Sequence, residues 1–302
     1  MWKSKTIQVP NGFSFERTVQ SHGWYNLAPF EIDEDRMGLS YVFREGSYGK
    51  IVRGTLSFET SEVRIDLDAS VSEKSSIEAD VRHILRLDDD INNFYAVIEE
   101  HDDFAWVRRL GAGRLLRSPT VWEDLVKTLC TTNCSWGLTE KIVTNLVDKL
   151  GERGMRGRNA FPTAAAMARQ NEKYYREEIK AGYRSPFFVE LAENVASGAI
   201  DPESWLTSEL PTAELKKEIM SIKGIGNYAA ENLLKLLGRY DGLALDSWLR
   251  SQFYKKHNRN KPCPDKKIER RYAKFGRWKG LVLWCDMTEY WHVTEPRKDR
   301  DP

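Results

Sequence analysis

The chain is poor in cysteine, with only Cys130, Cys134, Cys263 and Cys285 among 302 residues. Four scattered thiols exclude a disulfide scaffold and a closed four-thiolate metal cluster. Cys130 and Cys134 could share a helix face, but no second pair or nearby histidine completes a metal site. Apolar runs are short, none near the length of about 20 residues that crosses a bilayer, and the N-terminus lacks the order of a signal peptide. A bacterial-type cytosol or a nucleus is therefore the expected location. Internal repeats and low-complexity tracts are missing too, and only "RKDRDP" reads as disordered. Net charge is nearly absent at +1, which argues neither for nor against a nucleic-acid partner. What is present is enough apolar sequence, 41% of residues, to bury one large core or two modest ones. The charge is also unevenly spread. Basic residues crowd between Lys255 and Lys279, and acids gather at Asp88, Asp89, Asp90, Glu99, Glu100, Asp102 and Asp103. Such separation gives one face to phosphates and repels them from another; a solvated charged surface fits the same pattern.

Residues 39–68 alternate apolar with polar between turn signals and read as antiparallel strands. From Ser118 the period becomes helical. Ser118-Pro119 predicts a capped start for "TVWEDLVKTL", Leu138 to Leu150 predicts a second helix ended by Gly151, and Ser185-Pro186 predicts a third. The expected fold class is α+β: an N-terminal antiparallel β-sheet domain over 1–105, a mostly α-helical domain over 106–295, and a disordered tail over 296–302.

"TAELKKEIMSI" and "YAAENLLKLLG" read as amphipathic helices joined only by "KGIGN". Gly224 and Gly226, on either side of Ile225, allow a sharp reversal and aim the second helix's free N–H groups outward, a place suited to one backbone phosphate. A glycine turn that binds nothing has the same local pattern. Asp246 then follows the apolar "LAL" and precedes "SWLR". A carboxylate beside apolar walls needs a partner or a task. It reads equally as the cap of a helix beginning at Ser247.

Together, "MSIKGIGNYAAENLLKLL…LALDSWLR" resembles the helix-hairpin-helix and Gly/Pro-Asp signature of the DNA glycosylase superfamily, in which the hairpin grips the lesion strand and the aspartate lies in the base pocket. "GRLLRSPTVWEDLVKTLCTTNCSWGLTEKIVTNLVDKLG" resembles the helical pair of 8-oxoguanine glycosylases that carries a gap-filling asparagine, here Asn133. "AGYRSPFFVELA" resembles the segment with a wedge tyrosine and an arginine for the orphaned base, here Tyr183 and Arg184. A sheet ahead of the helices is also the layout of the 8-oxoguanine and alkyladenine branches. The likeness covers residues 85–255 by motif.

The resemblance implies that Asp246 is catalytic and that Gly224, Ile225 and Gly226 hold phosphate. Members that also cleave the strand carry a lysine two residues after the second hairpin glycine; this chain has Tyr228, so no Schiff base is expected there. Lys223, just before the hairpin, would need a different turn to reach the pocket. The iron-sulfur branch is excluded by the cysteine count, so no cofactor is expected beyond at most a monovalent cation at the hairpin. The implied activity is a monofunctional DNA glycosylase acting as a monomer on duplex DNA with a damaged base, without a membrane partner. Trp24, Trp136, Tyr228 and Trp248 are the expected base pocket, and electron-rich walls favour cationic alkylated purines of the 3-methyladenine or 7-methylguanine type. An oxidised-purine substrate is the alternative, since "TTN" and "GYRS" lean toward the 8-oxoguanine branch. A damaged-DNA-binding module without catalysis is the other.

Overall fold

A computed structural model describes residues 2–33, 38–45, 50–59, 62–68, 75–154 and 157–293. Five antiparallel strands, β1 Trp2–Gln8, β2 Glu31–Asp33, β3 Gly38–Glu45, β4 Lys50–Glu59 and β5 Glu62–Asp68, form one sheet in the order β1-β5-β4-β3-β2. On β5 the period of two is literal. Val63, Ile65 and Leu67 are buried, while Arg64 and Asp66 between them are half-exposed. The expected strands over 39–68 are therefore present, and the N-terminal β1 joins them by pairing with β5. The tail over 296–302 lies outside the described residues.

The longer helices, in chain order, are α1 Ser75–Ile84, α2 Asn92–Glu99, α3 Val121–Thr131, α4 Trp136–Leu150, α5 Ser185–Ala196, α6 Thr212–Met220, α7 Asn227–Leu236, α8 Ser247–His257, α9 Asp265–Tyr272 and α10 Lys279–Val293. The α+β class holds. One apolar core runs from Ile7 and Ile65 in the sheet, through Leu125 and Val126, to Leu281 and Leu283.

Where α3 meets the sheet, the core is polar. Lys127 pairs with Glu123 at 2.7 Å, Glu123 accepts from the Tyr41 hydroxyl at 2.5 Å, and Asp124 accepts from Trp24 Nε1 at 2.7 Å and Ser118 N–H at 2.9 Å. Burial pushes the Asp124 carboxyl up to about 6. This network corrects two expectations. Trp24 is 7% exposed and belongs to the core, its indole spent on Asp124, a partner that a buried carboxyl requires. The helix starts two residues later than Ser118-Pro119 suggests: Thr120 is the cap, accepting from Glu123 N–H at 3.2 Å, while the Ser118 hydroxyl accepts from Lys127 Nζ at 3.3 Å instead. Gly151 does follow α4, but with ordinary φ of −69°; a Cβ there would meet Ala160 O at 2.1 Å, so close packing demands the glycine.

Candidate active site

The reversal between α6 and α7 is as tight as "KGIGN" implies. Leu215, Ile219 and Ile222 are buried on the α6 side and Ile225 is 4% exposed, anchoring the hairpin, while Gly226 and Asn227 are exposed at the start of α7. Gly224 has φ of +88°, and a Cβ on it would meet Phe187 of α5 at 2.6 Å and Leu129 of α3 at 2.8 Å. Gly224→Ala should therefore lower unfolding free energy by about 2 kcal/mol or more, from overpacking and a left-handed backbone. Gly226 faces open space, so Gly226→Ala should lose no more than about 1 kcal/mol as a poorer cap. Urea midpoints of the two variants check the pair. Lys223 points away from any pocket: its amine pairs with Glu190 of α5 at 2.7 Å and its side chain is 65% exposed.

Asp246 is the cap of α8, with Oδ1 accepting from Leu249 N–H at 2.7 Å. Capping and a chemical task are compatible, because the cap occupies one oxygen. The Tyr228 phenol, one helix away, lies within reach of the carboxylate's charge; burial first, and then the charge of Asp246, push that phenol's pKa well up. Tyr228, at the position where the resemblance places a lysine in strand-cleaving members, is thus a phenol kept protonated near the aspartate. Cys134, directly after Asn133, lies within electrostatic reach of the same phenol.

That proximity joins the hairpin site to the turn between α3 and α4. Asn133 takes φ of 47°, a left-handed conformation that asparagine tolerates, and is exposed. Tyr183 stands beside it, 47% exposed, its hydroxyl donating to Thr132 O at 3.0 Å and lying 3.4 Å from Asn133 Nδ2. Its ring approaches Phe187 at 6.1 Å, and Phe187 packs on Gly224. The segments "TTN", "GYR" and "GIG", more than 80 residues apart at their extremes, therefore form one surface. Arg184 departs from the expected exposed contact. It is 2% exposed, its Nε donates to Thr132 Oγ1 at 3.1 Å, its guanidinium carbon sits 4.5 Å from the Tyr183 ring centroid, and its Nη2 has no partner. In this conformation Tyr183 and Asn133 face outward and Arg184 supports them from beneath.

Among the other expected pocket residues, Trp136 is half-buried and its ring is so close to Gly23 that a Cβ there would sit 2.4 Å away. Trp248 is half-buried, two residues past Asp246, with Trp291 at 5.5 Å and Trp284 at 6.0 Å. Sequence reasoning missed Trp284 and Trp291; their spacing of seven puts both on one face of α10. It also missed Lys235 on α7, which is 2% exposed, donates to Leu243 O at 3.1 Å and lies 5.6 Å from the Trp284 ring centroid. Burial pulls its pKa from 10.5 to about 8, opposed by the charges of Glu231 and Asp246.

The basic segment is only partly free to meet phosphates. Lys256 is bound by Asp286 at 2.7 Å and by Glu289 at 2.5 Å, Lys267 by Asn258 at 2.6 Å, and Arg250 by both oxygens of Asp265. Lys266 and Arg270 line a polar cleft that runs from Asn227 past Leu245 to α9. Among the described residues no group of three or more His, Cys, Asp or Glu side chains could hold a metal ion.

No family model matches the sequence, and no curated protein does. Solved structures do resemble it. The 3-methyladenine DNA glycosylase of Archaeoglobus fulgidus aligns over 96% of this chain and 100% of its own, at 18% identity and a TM-score of 0.75. The 8-oxoguanine glycosylase/lyase of Clostridium acetobutylicum in its apo form aligns over 95% and 98%, at 17% identity and 0.72. The same enzyme bound to duplex DNA with cytosine opposite 8-oxoguanine aligns over 97% and 99%, at 15% identity and 0.71. At such identities the likeness is one of architecture: from the sheet to the last helix, the chain has the fold of these DNA glycosylases.

Proposed function

We propose that the protein is a monofunctional DNA glycosylase that flips a damaged base out of a duplex and hydrolyses its N-glycosidic bond. The observation that carries this reading is the geometry of Asp246 and the hairpin: the carboxylate stands at the start of α8 with only one oxygen taken, by Leu249 N–H, and Tyr228, on the first turn after the glycine reversal, puts an aromatic hydroxyl where an attacking amine would otherwise stand. As the glycosidic bond breaks, the sugar gains oxocarbenium character, and a carboxylate fixed near C1′ in a water-poor site stabilises that charge. The second carboxylate oxygen orients the attacking water. The departing base takes the electron pair of the C1′–N bond, and water supplies hydroxide to C1′ and a proton to the medium. Asn133 fills the gap left in the stack and Tyr183 wedges the strand beside it. Exposed N–H groups at Gly226 and Asn227 hold a backbone phosphate on the lesion strand.

Alkylated purines are the favoured substrates. Trp248, Trp284 and Trp291 form a half-buried aromatic wall that starts two residues from Asp246, and a cationic base gains from such faces. It is also a good leaving group, which suits a site with little acid catalysis. An oxidised-purine substrate is the second reading, favoured by the close packing of Thr132, Asn133 and Tyr183, the segments that resemble the 8-oxoguanine branch.

Time courses of alkali-labile site formation on methylated, 8-oxoguanine and uracil duplexes separate these readings: fastest turnover of the methylated duplex supports the first, and of the 8-oxoguanine duplex the second. Tyr183→Ala should slow turnover on the preferred duplex by about tenfold or more through loss of the wedge, with stability lowered by only about 1 kcal/mol, because the half-exposed ring covers Arg184 and its hydroxyl holds Thr132 O. A wild-type rate in that variant would contradict the wedge assignment.

A further inference from the structure

The backbone that delivers Asp246 has an unusual support. Leu243, Ala244 and Leu245 belong to no helix or strand, and Ala244 is fully buried with φ of 51°, a left-handed conformation that a residue with a Cβ adopts only under constraint. The constraint comes from two side chains of α7. Glu231 Oε2 accepts from Ala244 N–H at 2.6 Å, and Lys235 Nζ donates to Leu243 O at 3.1 Å. That N–H and that carbonyl are the two polar ends of a single peptide unit. They point in opposite directions, and Glu231 and Lys235, four residues apart, stand one helical turn apart on one face. The peptide plane is thus gripped at both ends. Rotating it would break both bonds and leave the buried amine of Lys235 without this acceptor.

The surroundings complete the grip. Glu231 is itself held by Lys216 of α6, a residue in the first half of the hairpin. Gly242 lies so close to Glu231 that a Cβ would meet Glu231 Cγ at 2.6 Å, and a Cβ on Gly280 of α10 would meet Gly242 O at 2.0 Å. Gly242 is therefore pressed between α7 and α10, the Leu243–Ala244 peptide that follows is held by α7, and Asp246 follows Ala244 by two residues.

We propose that Glu231 and Lys235 are positioning residues that lock the Leu243–Ala244 peptide in its left-handed turn and thereby fix the Asp246 carboxylate against the flipped nucleotide. This rests on the reading of Asp246 as the catalytic carboxylate. The Glu–Lys pair does not touch substrate; it acts through the backbone.

The test uses the full chain with Lys235→Met, Glu231→Ala and Glu231→Gln, the last keeping an acceptor for Ala244 N–H while losing the charge. Single-turnover release of base from duplex DNA methylated with dimethyl sulfate, and affinity for a duplex carrying a stable abasic-site analogue, are measured beside hydrogen exchange of peptides spanning 241–247. Lys235→Met and Glu231→Ala should each lower the single-turnover rate by about tenfold to a hundredfold, as small displacements of a catalytic group do. Affinity should stay within about twofold and exchange over 241–247 should quicken by about tenfold. Glu231→Gln should remain within about threefold of the parent in rate. Wild-type rates and unchanged exchange in both Lys235→Met and Glu231→Ala would overturn the proposal, as would an equal loss of rate in Glu231→Gln and Glu231→Ala, which would make charge rather than peptide geometry the cause. If the parent releases no base, the glycosylase reading fails separately, and the exchange measurement alone decides: protection of 241–247 lost in the variants sustains the clamp, and protection kept refutes it.

Discussion

Asp246→Asn should abolish base release, lowering the rate by about a hundredfold to a thousandfold or more, the size of effect seen when one preorganised electrostatic group is removed from a reaction centre. The substitution is selective because of what Asp246 does structurally. Its Oδ1 caps α8 by accepting from Leu249 N–H, and asparagine caps as well as aspartate. The variant should therefore unfold at the same urea concentration and bind damaged duplex as the parent does, so that the lost rate reports charge alone. Asp246→Ala should lose the rate and about 1 kcal/mol of stability besides. A rate loss matched by a loss of stability in Asp246→Asn would reduce the residue to a cap. An inert parent that binds damaged duplex no differently from Asp246→Asn would favour a binding module without catalysis.

Tyr228→Lys carries the second large effect, the gain of a reaction. The phenol reaches the Asp246 carboxylate from the first turn of α7, so a lysine there would place an amine beside the same carboxylate and within the same partly buried space. Burial lowers the pKa of an amine and raises its neutral, nucleophilic fraction. Attack at C1′ would expel the base with the glycosidic electron pair; breaking of the C1′–O4′ bond, with a proton passing from the amine to O4′, would then give an imine and permit elimination of the 3′ phosphate. Borohydride should trap a covalent protein–DNA adduct with Tyr228→Lys and none with the parent. An adduct in the parent would show that an amine elsewhere reaches the sugar and that the tyrosine does not decide the chemistry. Tyr228→Phe keeps the ring and removes only the hydroxyl near Asp246, so it should open no route to strand cleavage.

The hairpin and its aspartate were legible because their chemistry is local. Two glycines around an apolar Ile225 require a tight reversal, and an acid before Ser247 suits a helix cap, both of which the fold contains; a task beyond these came only from the resemblance. The segments of Asn133 and Tyr183 were legible separately, and the fold brings the two side chains within 3.4 Å, but burial of Arg184 depends on Thr132 and Tyr183 closing over it, which no local pattern encodes. Trp24 illustrates the opposite error. An abundance of tryptophan says nothing about which ring faces a cavity, and this one is fixed by a buried carboxyl a hundred residues away. Glu231 and Lys235 were invisible for a subtler reason. Glu and Lys four apart on a helix read as an ordinary exposed ion pair; instead, Glu231 turns to Lys216 and Ala244, and Lys235 to Leu243. Helix periodicity gives the face but not the loop that crosses it.

The account stands most directly on one measurement: mass-spectrometric quantification of the free bases released from a mixture of methylated, 8-oxoguanine and uracil duplexes by the parent and by Asp246→Asn, with strand integrity read before alkali. Release of a methylated purine by the parent, from strands that remain whole, and its disappearance with Asp246→Asn, is the predicted result. No released base of any kind, or release that persists in Asp246→Asn, would contradict it.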